Sequence, residues 1–229
     1  MPIYRLDERL NFPPPEKADP VGILAVGGDL SIERLLLAYR SGIFPWYSEG
    51  EPLIWWSPDP RFVLFPDELK VSTSLKRIIK SGKFRITFDH DFRAVIANCS
   101  CVSRRDQDGT WIMPEMIEAY CALHKAGHAH SVEVWLGDEL VGGLYGVGVG
   151  RCFCGESMFT KVSNASKVAL AALVEKLKTQ GCLMIDSQVH TDHLERMGAR
   201  EISRKEYLRR LKKALEEDCK ALSSNGLVA

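Results

Sequence analysis

The stretch from residue 131 to residue 188 constrains the fold more than any other. Ser131-Val-Glu-Val-Trp-Leu136 alternates polar and apolar residues, the period of a half-buried strand. Gly137-Asp138 is a two-residue hairpin turn, followed by a glycine-rich strand over Leu140–Val149 and a third strand over Arg151–Cys154. Val168, Leu170, Ala171, Leu173, Val174 and Leu177 then form the apolar stripe of a long helix that ends near Gly181. Leu183-Met-Ile185 is a short buried strand leading into Asp186-Ser-Gln188. Hairpin-linked strands followed by a helix and a returning strand predict an α+β fold, a mixed sheet flanked by helices.

Capping signals place further helices around that sheet. Ser31 opens one containing Leu35, Leu36, Leu37 and Tyr39, with Gly42 past its end. Ser72 or Thr73 opens a second over 72–81, with Leu75, Ile78 and Ile79 as its apolar stripe. A short helix is expected over 91–99, and Pro114 opens another that stops at Gly127. Ser163 or Asn164 caps the long helix, a short one runs from His190 to Met197, and Ser203-x-x-Glu206 is a capping box for the last. Upstream, Pro13-Pro14-Pro15 and Pro20 mark extended chain, and Trp46, Tyr47, Trp55 and Trp56 fall close together. Aromatics that dense form either a buried patch or an exposed stacking surface. The strand–helix–strand order from 130 onward matches the donor-holding half of an acetyltransferase-like (GNAT) fold.

With 30 Lys+Arg against 30 Asp+Glu among 229 residues, net charge gives no field for a nucleic acid, so only local clustering can. Lys76, Arg77 and Lys80 line one helix face, with Lys83 and Arg85 just beyond. Arg104/Arg105 and the 204–213 run are weaker clusters. Seven cysteines, an odd number without an export signal, argue against a disulfide framework. The pairs Cys99/Cys101 and Cys152/Cys154 lack the spacing of zinc sites, so no metal and no cofactor is expected. No apolar run reaches membrane-spanning length and the N-terminus is charged, so a cytoplasmic protein is expected.

Six segments, in order, resemble one family: Gly42-Ile-Phe-Pro-Trp-Tyr47, Trp55-Trp-Ser-Pro-Asp-Pro-Arg61, Gly109-Thr-Trp-Ile112 with His124-x-x-Gly-His-Ala-His130, Phe153-Cys-Gly-Glu-Ser-Met-Phe159 leading into Asn164-Ala-Ser-Lys167, Asp186-x-Gln188, and Gly198-Ala199. The set resembles the bacterial leucyl/phenylalanyl-tRNA–protein transferases from about residue 11 to about residue 211. That resemblance implies a small N-terminal domain, here 1–61, and a GNAT-like catalytic domain, 62–229. It implies transfer of Leu or Phe, less readily Met, from aminoacyl-tRNA to proteins beginning with Arg or Lys, which marks them for N-degron proteolysis.

The residues fit such chemistry. The donor ester is already activated, and an α-amine with a pKa of about 7.7–8.0 is partly neutral near pH 7. The protein has only to hold amine and ester together and steer a proton. Asp186 and Gln188, two apart beyond an apolar strand, can face one site. The Gln188 carbonyl can accept from the amine; Asp186 can hold that amide, receive the proton, or bind the acceptor's cationic side chain. Glu156, read as lying in a short loop after Phe153, is a carboxylate that an acceptor ammonium, Arg or Lys would partner. Leu144, Phe153, Met158, Leu173 and Ile185 are candidate walls of a donor pocket. By family position, Trp46 and Trp111 would stack the 3′ adenine, and the Lys76–Arg85 cluster would meet the acceptor stem. Two other classes compete. A CoA-dependent acyltransferase would want a glycine-rich nest opening the long helix, which is lacking in Met158-Phe-Thr-Lys-Val-Ser-Asn164. A non-enzymatic RNA-binding module would leave Asp186, Gln188 and Glu156 without a task.

Overall fold

A computed structural model describes residues 3–101 and 112–216. In chain order it contains β1 (Tyr4–Leu6), β2 (Ile23–Gly27), α1 (Ile32–Arg40), β3 (Phe44–Pro45), β4 (Ile54–Trp56), β5 (Arg61–Leu64), α2 (Thr73–Lys80), β6 (Arg85–Phe88), α3 (Phe92–Ser100), α4 (Pro114–Lys125), β7 (Ala129–Leu136), β8 (Glu139–Val149), β9 (Cys152–Thr160), α5 (Ala165–Thr179), β10 (Met184–Asp186), α6 (Asp192–Arg196), β11 (Arg200–Ile202) and α7 (Arg204–Glu216). The strands form two sheets, one of order β1-β2-β4-β3, the other β11-β5-β10-β9-β8-β7-β6. In the larger sheet β9 and β10 run parallel and the other pairs antiparallel, so the α+β fold with a mixed sheet stands. Among the described residues no helix is long and apolar enough to cross a membrane.

Alternation along the strands feeds two cores. Leu144, Phe153 and Ile185 pack with α5 on one face of the larger sheet. Tyr145, Val147, Cys152 and Cys154 pack on the other, in a cluster that takes in α1, Tyr120 of α4, Leu211 of α7 and Trp55 of the smaller sheet. Glycines in β8 let other elements come close. A Cβ on Gly142 would stand 2.5 Å from the Ala165 Cβ, and one on Gly146 would stand 2.5 Å from the Phe153 ring.

Several local expectations hold: Ser31 and Ser72 accept from Arg34 and Leu75 backbone amides, and Pro114 occupies the first turn of α4. Others need correction. Ile79 is 41% exposed rather than part of an apolar stripe, and Asn164 precedes α5 in a left-handed conformation without a side-chain cap. The larger correction concerns the strand expected to end at Cys154, which runs on to Thr160. Gly155, Glu156 and Ser157 break the apolar pattern, but the β8 edge still pairs there, Gly146 with Gly155 and Tyr145 with Ser157. Glu156 is therefore the extra residue of a β-bulge and not part of a loop. The bulge also shifts the phase of the strand. Phe153 and Met158 are five apart, opposite faces of a regular strand, yet they pair with Gly148 and Leu144, which share a face.

Candidate active site

A cavity of about 450 Å³ opens between the α5 face of the larger sheet and β3. Its apolar wall includes Leu144, Phe153, Met158, Leu173 and Ile185, the five residues named from the sequence, together with Leu170. Phe44, Pro45 and Trp46 of the smaller sheet border it, as do Glu156, Ser187 and Gln188. Ser166, Thr191 and His193 line it as well. Burial, then Lys167 and Arg196, lower the His193 pKa, and its Nε2 is enclosed with no hydrogen-bond partner among the described residues.

Glu156 reaches this cavity from the bulge. Its Oε2 accepts from the Tyr120 hydroxyl at 3.1 Å, and its Oε1 faces Gln188 Nε2 at 3.4 Å. Desolvation pushes its pKa up to about 7, against the hydroxyls of Tyr39 and Tyr120, which lower it, while Asp186 raises it and Arg61 lowers it. A carboxylate poised near neutrality beside an apolar slot is suited to taking up and releasing a proton.

Asp186 is placed differently. It is fully buried and is not part of the cavity wall. Its Oδ1 accepts from Arg61 Nε at 2.8 Å and from the Gln188 backbone N–H at 3.0 Å; its Oδ2 accepts from an Arg61 terminal nitrogen at 2.7 Å and from Tyr207 at 2.8 Å. Arg61, itself buried, lies between the rings of Phe44 and Tyr207 and donates to the Gly42 carbonyl at 3.2 Å. Burial opposes its charge, but Asp186 more than compensates, and its pKa is raised. The Asp186 oxygens are thus engaged in holding Arg61, Tyr207 and Gln188. Gln188 adopts φ +58°, a left-handed conformation uncommon for a residue with a Cβ. It is fixed there by Asp186 and by its own carbonyl, which accepts from Phe62 N–H at 3.2 Å.

Among the aromatics, Trp55 is core, fully buried with Nε1 donating to the Gly27 carbonyl, whereas Trp46 borders the cavity and packs on Trp56 at 5.4 Å. Trp111 and Arg104/Arg105 lie outside the described residues. Lys76, Arg77, Lys80, Lys83 and Arg85 are all exposed, on α2, in the turn after it and on β6. β6 is the sheet's outer edge, three strands from β9, roughly 14 Å at normal strand spacing. The histidines of the 124–130 motif serve the start of β7: His124 stacks on Phe92 at 4.5 Å, and His130 Nδ1 meets Asp89 at 2.8 Å.

Sequence reasoning passed over Arg61, Tyr120, Tyr39 and Tyr207. Arg61 did stand in one of the segments that carried the resemblance; the tyrosines had no local signal.

Residues 63–212 match the family model described as leucyl/phenylalanyl-tRNA protein transferase, and residues 28–59 match that of its N-terminal domain. The chain is similar to the leucyl/phenylalanyl-tRNA–protein transferase of Syntrophobacter fumaroxidans, 58% identical over 95% of this chain and 93% of that one. It is similar to the protein of the same name from Flavobacterium johnsoniae, 56% identical over 92% and 99%. Among solved structures it is similar to a conserved protein of unknown function from Bacteroides thetaiotaomicron, with TM-score 0.42, 12% identity and 69% and 55% of the two chains covered. A GCN5-related N-acetyltransferase from Kribbella flavida gives TM-score 0.36 at 10% identity, over 73% and 59%.

Proposed function

The chain belongs to the leucyl/phenylalanyl-tRNA protein transferase family, and from that membership we propose that it moves Leu or Phe, less readily Met, from the 3′ end of a charged tRNA to the α-amine of a protein beginning with Arg or Lys. Such a transfer would mark the acceptor for N-degron proteolysis in the cytoplasm. The observation that carries this reading is a cavity with an apolar wall and two polar groups at its edge, Glu156 and Gln188.

In this reading the donor side chain fills the slot between Leu144, Phe153, Met158, Leu173 and Ile185. The 3′ adenine stacks on Trp46, with Trp111 as the second ring; such a contact is worth roughly 1–3 kcal/mol. Gln188 directs Nε2 to Glu156, which leaves its carbonyl to accept from the incoming amine and aim it. The amine nitrogen attacks the ester carbonyl carbon, giving up one proton to the Glu156 carboxylate. As the bond to the ribose oxygen breaks, Glu156 returns that proton to the leaving oxygen, and an amide and a free 3′ hydroxyl result. Asp186 acts on Gln188 rather than on substrate. With Asp186 paired to Arg61, Glu156 brings the unpaired negative charge, which favours a cationic acceptor and repels one beginning with Asp or Glu. The small sheet and α1 act as an N-terminal lobe that closes one side of the site through Phe44, Pro45 and Trp46.

One assay tests both substrates: tRNAs charged with labelled Leu, Phe, Ile or Val are offered to peptides beginning with Arg, Lys, Asp or Ala. Leu and Phe should pass to the Arg and Lys peptides well above Ile and Val, since branching at Cβ obstructs entry to the slot by roughly 1–3 kcal/mol. Equal transfer of Ile and Leu, or label on the Asp peptide, would count against the reading.

The exposed basic residues are assigned to the acceptor stem. Replacing Lys76, Arg77 and Lys80 together by Ala should weaken binding of charged tRNA and reduce the salt slope of log K by a little under one for each phosphate no longer neutralised. Transfer from a minimal aminoacyl-adenosine should hardly change, because none of the three lines the cavity. An equal loss with the small donor would place these residues in folding or chemistry instead.

A further inference from the structure

Glu156 is held from behind by a directional pair of phenols. Tyr120 of α4 and Tyr39 of α1 are both buried, and their hydroxyls are hydrogen-bonded to each other. Tyr120 has one proton, and it goes to Glu156 Oε2 at 3.1 Å. The bond between the two phenols must then be donated by Tyr39, so both protons point along the chain toward the carboxylate. Tyr145 of β8 stands edge-on to the Tyr120 ring at 5.7 Å and limits its tilt. The other groups acting on Glu156 are Asp186 from β10 and Arg61 from β5, opposite in sign and locked to each other. Gln188 offers only a long contact. Tyr120 is thus the shortest hydrogen bond that the carboxylate accepts among the described residues.

We propose that Tyr120, backed by Tyr39, is a positioning pair that fixes Glu156 at the cavity edge and favours its ionised form. The consequence for the transfer reaction rests on the reading of Glu156 as proton acceptor. Donation to an ionised acceptor is among the stronger hydrogen bonds, and a chain of two donors polarises the last one. α1 thereby tunes a carboxylate on the larger sheet, without Tyr39 touching substrate.

The test uses the full chain labelled with carbon-13 at glutamate carboxyl carbons, with Glu156→Gln to assign the signal. In Tyr120→Phe the Glu156 titration should move up by about one pH unit, the equivalent of one charge-assisted hydrogen bond. Tyr39→Phe should move it in the same direction, and it decides the question should Tyr120→Phe fail to fold. An unchanged or lowered midpoint overturns the proposal. Transfer is measured in parallel: the acid limb of kcat/KM should follow the carboxyl signal in each variant. A shifted signal with an unmoved acid limb leaves the positioning pair in place and sinks the role of Glu156 as base. Unmoved signal and limb, with activity lost in Glu156→Gln, does the reverse.

Discussion

Glu156→Gln is expected to lower kcat by about 10²–10⁴, the usual contribution of a positioned proton acceptor, with KM for charged tRNA nearly unchanged. The substitution keeps the shape and the contact with Tyr120 but removes the charge. The wild-type kcat/KM should rise with pH through about 7, where the Glu156 carboxyl, raised by burial, loses its proton. In the variant that limb should vanish and leave the titration of the acceptor amine at about 7.7–8.0. Steady-state rates from pH 5.5 to 9 on an Arg peptide measure both. Should KM for the peptide rise while kcat stays, Glu156 binds the acceptor's cation and the proton leaves by another route.

The Arg61–Asp186 pair is expected to govern both stability and turnover, through separable effects. Arg61→Ala leaves a buried carboxylate without its partner, which typically costs 3–5 kcal/mol. At this chain length that corresponds to a fall in Tm on the order of 10 °C. The double variant Arg61→Met with Asp186→Leu removes both charges and should regain most of that stability, since a buried ion pair often contributes little over an apolar one. It should not regain kcat, because Leu at 186 cannot accept the Gln188 backbone amide that keeps Gln188 at φ +58°. Thermal melts and single-turnover transfer on the same samples separate the two effects. Full activity in the double variant would remove Asp186 from any part in placing Gln188.

Which features were legible in the sequence follows from how local their causes are. The helix starts at Ser31, Ser72 and Pro114 are set by residues within one turn, and they read directly. Leu144, Phe153, Leu173 and Ile185, which line the cavity, were legible as apolar positions because each sits on an element with a clear apolar pattern. β5 was not, although Phe62-Val-Leu-Phe65 is an apolar run, because its status as a strand depends on pairing with Ile185 and Asp186 far along the chain. Arg61 stood only as the end of a segment that carried the resemblance, and its burial is supplied by Phe44, Asp186 and Tyr207, each remote in sequence. Tyr207 lies on a helix rich in Arg and Lys, which reads as solvated until its inner face is seen to pack on the larger sheet. Glu156 drew notice for its chemistry, but its place in a strand was hidden by the polar triplet that forms the bulge.

That bulge turns β9 into something like a reading frame. Up to Gly155 the strand is read in one phase and from Ser157 in the other, with Glu156 as the inserted letter. Removing Glu156 would restore a regular strand and leave both faces as they are, because Gly155 would still pair with Gly146 and Ser157 with Tyr145. Met158 would stay opposite Leu144 on the α5 side, and Phe159 opposite Gly143 on the other. Such a deletion would keep the apolar wall of Phe153 and Met158 and take away the carboxylate at its edge. The inserted letter is therefore what sets a carboxylate at the cavity edge without disturbing the text on either side of it.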